Sequence, residues 1–188
     1  AVKATSVDAT VTTKKVEKEQ KPKKVFDRFK NLRSWNWVMA GLHAAQGVAV
    51  LVLSQDRLFP VTTDHLTVDP LTQGGNPVLV PATRHLFDVN IAYVVAAFFF
   101  MSAIAHLSIA SWYRKKYEAN LKNGINKARW IEYSFSASTM IVAIAMIAGI
   151  YDLSTLGMMF GLTAVMNLCG LVMEKANAGR ETVDWTSY

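Results

Sequence analysis

Hydrophobic positions along the chain gather into four runs, roughly 36–54, 89–112, 128–150 and 155–174, each nearly free of charge. A helix rising about 1.5 Å per residue needs about 20 mostly apolar residues to cross a bilayer core of roughly 30 Å. All four runs reach that length, so the pattern predicts four transmembrane helices. Residues 55–87, between the first two runs, contain LTVDPLTQGGNPVLVPATRHLF, in which two β-prone pieces flank Gln73-Gly74-Gly75-Asn76-Pro77. That turn chemistry predicts a two-stranded hairpin lying over the outer surface. An isolated hairpin is marginal in water, so it is expected to pack on something, with a second copy of the chain as one candidate. The short connection at Tyr151-Asp152 makes the third and fourth helices antiparallel neighbours. The expected fold is an all-α membrane protein with four transmembrane helices and a short extracellular β-hairpin between helices 1 and 2.

Charge orients this bundle. Residues 1–33 carry ten Lys/Arg and four Asp/Glu, and the first two dozen have almost no large apolar side chains. Such a segment cannot bury enough surface to fold alone, so a disordered basic tail is expected, with 34–188 as the transmembrane domain. VFDRFKNLRSWNW, from Val25, reads as a short amphipathic lead-in on the membrane surface. A polybasic tail beside a span is attracted to anionic lipid, and without a folded basic surface nucleic acid is the weaker reading. The tail, the 2–3 connection and the segment after helix 4 hold eighteen Lys/Arg, against only Arg57 and Arg84 in the 1–2 connection. Positive charge collects on the cytoplasmic side, so the N-terminus is expected there, in a multi-pass protein of the cell membrane. No cleavable signal peptide is visible, and the first run is expected to act as its own insertion signal. The single cysteine, Cys169, lies in the fourth run, rules out a disulfide framework and reads as a small buried core residue.

Polar groups inside spans need a reason, since an ionisable side chain at the bilayer centre costs about 2.5–3.5 kcal/mol on insertion scales. The spans hold His43, His106 and Glu132, with Arg129 at the mouth of helix 3 and Asn167 in helix 4. With alternating helix directions, His43, His106, Glu132 and Asn167 fall in one layer, roughly 6–11 Å below the cytoplasmic interface. Spacing within helices agrees: His43 and Gln46 are i,i+3, Ser102 and His106 are i,i+4, and Arg129, Glu132, Ser136 and Thr139 draw one stripe down helix 3. Such stripes must face the bundle interior, because lipid offers them no partner. Each residue also has a plainer reading. A lone histidine can bond a backbone carbonyl, Ser102, Ser134, Ser136 and Ser138 can be helix-contact residues, and Asn167 can join helices. Glu132 is the residue that most requires a positive partner; Arg129 is one candidate, although from the helix mouth it can reach water instead.

RWIEYSFSAS (129–138) closely resembles the third-helix signature of the heliorhodopsins, microbial-rhodopsin relatives with a cytoplasmic N-terminus. GLHAAQG (41–47), SAIAHL (102–107) and MNLCGLVME (166–174) resemble the family's first, second and fourth helices in the right order, and the long outer 1–2 connection matches too. The resemblance covers roughly residues 25–188 and implies a seven-helix retinal protein. It further implies a light sensor or signal carrier with a slow photocycle rather than a strong ion pump. Homodimers paired partly through the outer hairpin, and a signalling partner of unknown identity, are also implied. On the matching positions, Glu132 would be the counterion of the protonated retinal Schiff base. Ser102, Ser136, Tyr133 and Asn167 would lie about the chromophore. His43, Gln46, His106 and Arg129 would form a polar network on the cytoplasmic side that receives or stores protons.

The family binds retinal through a lysine on its seventh helix, and no lysine lies in the interior of these four spans. Trp185 and Tyr188 stand where an aromatic belt would open a fifth helix. Three arrangements stay open: helices 5–7 removed from this chain, supplied from elsewhere, or lost in a short relative without chromophore. Two other functions compete. His43 and His106, at one level on adjacent helices, could be the axial ligands of a haem. Alternatively, the polar layer only holds together a light-independent scaffold or transport accessory. No nucleophile paired with a base, phosphate loop or zinc-ligand spacing is present, so neither an enzyme nor a metal site is expected.

Overall fold

The structure, a computed structural model, describes residues 31–69, 71 and 75–180. The basic tail up to Lys30, the middle of the hairpin turn, Trp185 and Tyr188 lie outside the described residues. In chain order the elements are α1 (Leu32–Leu53), β1 (Leu58–Val68), β2 (Leu79–Asn90), α2 (Ile91–Ala110), α3 (Arg114–Lys122), α4 (Lys127–Ile147) and α5 (Leu153–Ala176). The four apolar runs are α1, α2, α4 and α5, each long and apolar enough to cross a membrane. No more than 33% of the apolar window of any of them is buried within the chain. Apolar faces left this open are stable only in a bilayer or against further helices, and the chain is an integral membrane protein.

α3 is an addition to the expected elements. RKKYEANLK is too polar to register in a search for apolar runs, but its Arg114 and Glu118 stand one turn apart and bond at 2.6 Å. Tyr117 is its buried residue. Helix ends follow their local chemistry. Asn90, Asn126 and Asp152 each accept a backbone N–H of the first turn of α2, α4 and α5. Gly124 and Gly149 take positive φ (74° and 93°) where α3 and α4 stop. There the Ile125 N–H reaches Asn120 O at 3.0 Å and the Ile150 N–H reaches Ala145 O at 2.9 Å, closing both helices with a left-handed residue.

The hairpin is longer than the two β-prone pieces suggest. β1 and β2 pair antiparallel from Leu58↔Asn90 to Val68↔Leu79, with a bulge after Val61 that leaves Leu86 unpaired. Its support comes from the same chain. Val61 is buried with Ala145, Met146 and Leu156 at the adjoining ends of α4 and α5. The Thr62 N–H donates to Tyr151 O at 2.9 Å, and the Asp64 N–H donates to Asp152 Oδ1 at 3.2 Å.

Asp152 thus holds the hairpin and caps α5 at once, since its other oxygen accepts from the Thr155 N–H and hydroxyl, each at 2.8 Å. Hydrogen bonds from Thr155, with a smaller one from Asp64, hold its carboxyl below the ordinary carboxylate value. A depressed folded value means that this stabilisation is present above the unfolded carboxylate range and is lost as pH falls through the folded one. Acidification below that range, or Asp152→Ala at neutral pH, is therefore expected to lower the protection of the Thr62 and Asp64 amides against hydrogen exchange, relative to the intrinsic rate at the same pH. Equal exchange in wild type and variant at neutral pH would remove Asp152 as the anchor.

Helix packing runs α1 on α2, α2 on α4 and α4 on α5. On α5, Gly170 lets the Trp130 ring of α4 lie against its backbone, where a Cβ would collide with the indole. The indole Nε1–H is buried without an acceptor among the described residues, so packing and the neighbouring Arg129 guanidinium hold the ring. Gly170→Ala is expected to force the two helices apart at a cost of about 1–3 kcal/mol, read as a lower melting temperature in detergent. An unchanged melting temperature would mean that the ring can shift freely. One residue earlier the expectation fails: Cys169 is exposed, not a core residue. The buried stripe of α5 follows Leu156, Asn167 and Leu171, and Cys169 sits about 200° around the helix from Asn167.

Candidate functional site

Where α1, α2 and α4 meet, their polar side chains form two bonded groups. In the first, the Ser102 hydroxyl donates to Glu132 Oε1 at 2.6 Å, joining α2 to α4. Ser102 is buried and Glu132 half-buried. In the second, His106 Nδ1 donates to Asn36 Oδ1 at 2.8 Å, and Asn36 Nδ2 donates to Leu32 O at 2.8 Å within α1. His43 Nδ1 donates to Gln46 Oε1 at 3.1 Å, and the two imidazoles stack with centroids 5.6 Å apart and planes 15° from parallel. Phe99 lies beyond His43, 6.2 Å between ring centroids.

Stacked in this way, the histidines present flat faces to each other rather than nitrogens, and both Nδ1 atoms are engaged by amide oxygens. A metal between two axial ligands needs a nitrogen from each aimed at it. The arrangement does not suit a haem between them.

Two cavities border this layer. A cavity of about 410 Å³ is lined by His43, Ser102, His106, Glu132, Tyr133 and Ser136, with Met39, Phe98, Ala137 and Met140 as its apolar wall. A smaller, more polar one of about 170 Å³ extends from Glu132 and His106 past Asn36 to Tyr117, Asn126 and Arg129 at the basic end of the bundle. Tyr117 closes that end. Burial pushes its hydroxyl above the ordinary tyrosine value, with a hydrogen bond to Asn126 and the charge of Arg129 acting the other way. It is therefore a neutral donor at physiological pH.

The structure brings together most of the residues singled out from the sequence. Glu132, Ser102, Ser136, Tyr133, His43 and His106 share the larger cavity. Gln46 stands behind His43 as its bonding partner. Two residues depart from expectation. Arg129 borders the smaller cavity, but its Nη2 donates to Glu174 Oε1 of α5 at 2.6 Å and its guanidinium lies 4.6 Å from the centre of the Trp130 ring. It does not neutralise Glu132. Asn167 is buried on α5 and donates to Thr163 O of its own helix at 2.8 Å, away from the cavities that Glu132 lines. Ser134 and Ser138 likewise bond backbone carbonyls of their own helix, Ile131 O and Ser134 O, and serve as small contact residues.

Asn36 and Glu174 were missed. Asn36 lies seven residues before His43, two turns along one face, but between Trp35 and Trp37 it read as part of the interface. Glu174 closes the MNLCGLVME segment, and no spacing within one helix connects it to Arg129, 45 residues away.

Four membrane spans thus enclose a serine–carboxylate pair facing a mixed polar and apolar cavity, in an integral membrane protein. The family model for heliorhodopsin matches residues 32–188, and the chain belongs to the heliorhodopsin family. No curated protein matches it.

The donor set can be tested against the retinal that this family implies. No lysine or arginine among the described residues forms an ion pair with Glu132, whose hydrogen bond comes from a neutral hydroxyl. An ionised carboxylate inside a membrane bundle is stable only beside a positive charge. The cavity at Glu132 falls within the roughly 300–1,000 Å³ of small-ligand sites and has an apolar wall. A cationic polyene suits both features, so the carboxylate and the wall of the cavity fit the group, while no span interior among the described residues supplies the lysine that would bind it.

Proposed function

We propose that the protein is a retinal-binding light sensor in which Glu132 is the counterion of the chromophore's cationic end. The observation that carries this reading is a carboxylate with one neutral donor and no paired cation among the described residues, facing a cavity with an apolar wall. Retinal bound as a protonated Schiff base supplies the light-absorbing cation whose isomerisation starts the signal. The residues of this chain hold and accept charge around it. Ser102 fixes one carboxylate oxygen of Glu132 and leaves the other for the cation. Ser136 lies one turn along the same face, and Tyr133 borders both cavities. Asn36 commits His106 Nδ1 as a donor, so Nε2 is the nitrogen left to accept a proton. The smaller cavity, with Tyr117 at its end, gives such a proton a polar place to stay. Arg129 acts at the rim of that network, through Glu174.

Eighteen basic residues on one side against two on the other support a cytoplasmic N-terminus, in the cell membrane. A sensor rather than a strong pump, paired as a homodimer and read by a signalling partner, is what the family resemblance adds. The test is the visible spectrum of the full-length protein with and without all-trans retinal, in wild type and in Glu132→Gln. No coloured product from the wild type would overturn the reading, and an unshifted spectrum in the variant would remove Glu132 from its role.

A further inference from the structure

A second groove, of about 510 Å³, runs between α2 and α4 without any α1 residue in its lining. Ile104, Ile109, Ile131 and Phe135 make its walls, and at the basic end of the bundle it finishes at Tyr113 and Lys127. Lys127 is the first residue of α4, and Phe135 lies eight residues further in, about 12 Å deeper. Neither the Lys127 ammonium nor the Tyr113 hydroxyl has an ion-pair or hydrogen-bond partner among the described residues. Next to Tyr113 in the chain, Lys115 and Lys116 are exposed and Trp112 is 74% exposed, as anchors at headgroup level are.

We propose that this groove binds one anionic phospholipid of the leaflet on the side of the basic connections. The chain of the lipid lies along the apolar walls, and its phosphate meets Lys127 and Tyr113. Charge complementarity selects the occupant. An apolar groove alone would accept any acyl chain, but an unpaired ammonium and a free hydroxyl at its mouth favour a headgroup with net negative charge. The volume lies within the roughly 300–1,000 Å³ range of small-ligand sites. Glu132 lines the inner part of the groove, five residues or about 7.5 Å beyond Lys127, beside the acyl chain rather than the headgroup.

Native mass spectrometry of the full-length protein, released from nanodiscs containing equal amounts of phosphatidylglycerol and phosphatidylcholine, tests this. One phosphatidylglycerol is expected to remain bound in preference to phosphatidylcholine. Lys127→Gln, at an exposed position, is expected to lower its retention about fivefold through loss of one surface cation. Ser108→Phe fills the groove and is expected to abolish retention, with helix content checked by circular dichroism. Equal retention of the two lipids, or retention unchanged in Lys127→Gln, would overturn the proposal. So would a lipid-free dimer that Ser108→Phe dissociates, since the groove would then belong to a second copy.

Discussion

Glu132→Gln in the retinal-loaded protein is expected to move the visible absorption to longer wavelength, with the colour lost on alkalinisation at a pH roughly 1–3 units lower. Both effects follow from one charge. A carboxylate beside a cationic chromophore stabilises the ground state, in which positive charge sits nearest to it. Excitation carries that charge away along the polyene, so the counterion widens the gap and its removal narrows it. The same carboxylate favours the protonated form of the Schiff base, so removing it allows the proton to leave at lower pH. Glutamine is close to glutamate in size and keeps an acceptor for the Ser102 hydroxyl, bonded at 2.6 Å in the wild type. The change is therefore electrostatic rather than a collapse of the cavity. A variant that keeps both the wild-type colour and the wild-type alkaline midpoint would assign the counterion to another group.

The cost of placing charge in a membrane is what made this site legible. Glu132, His43 and His106 stand out because lipid gives them no partner, and helix direction then places them in one layer without any structure. Their facing partners were less accessible. The resemblance puts Ser102 near the Schiff base but no spacing pairs it with Glu132 on another helix, and Asn36 is hidden between two tryptophans that suit an interface. Periodicity orders residues along one helix but does not report which helices touch, so Arg129 remained a candidate for Glu132 when its ion pair is with Glu174. The fold divides similarly. Apolar runs located the four spans to within a few residues, whereas α3, a short polar helix, leaves no trace in hydropathy. The hairpin followed from turn chemistry, yet its support by Val61 and Asp152 depends on a contact between segments about 90 residues apart.

Glu174→Ala is expected to destabilise the protein by about 2–3 kcal/mol, the larger share of it at the start of α4. Glu174 bonds with both oxygens: Oε1 accepts from Arg129 Nη2 at 2.6 Å, and Oε2 accepts from the Asn126 N–H at 2.7 Å. Asn126 in turn caps α4 by accepting from the Arg129 N–H at 3.2 Å. One carboxylate on α5 therefore fixes the register of the α4 mouth, and its side chain is only 18% exposed. Arg129→Ala should cost less, because the Asn126 bond survives and the guanidinium, 42% exposed, is already largely hydrated. The double variant should lose less than the sum of the two, since the ion pair is counted in both. Thermal melting followed by circular dichroism in one detergent gives all three values. The effect should also extend to the chromophore. Without Glu174, Arg129 is three residues from Glu132 on the same helix face and free to turn toward it, competing with the Schiff base for the carboxylate. In the retinal-loaded protein, Glu174→Ala should therefore shift the colour in the same direction as Glu132→Gln but by less, and adding Arg129→Ala should reverse that shift. A melting temperature equal to that of the wild type would show that α4 is held without Glu174. A colour change that persists in the double variant would trace it to the distorted helix mouth rather than to the freed cation.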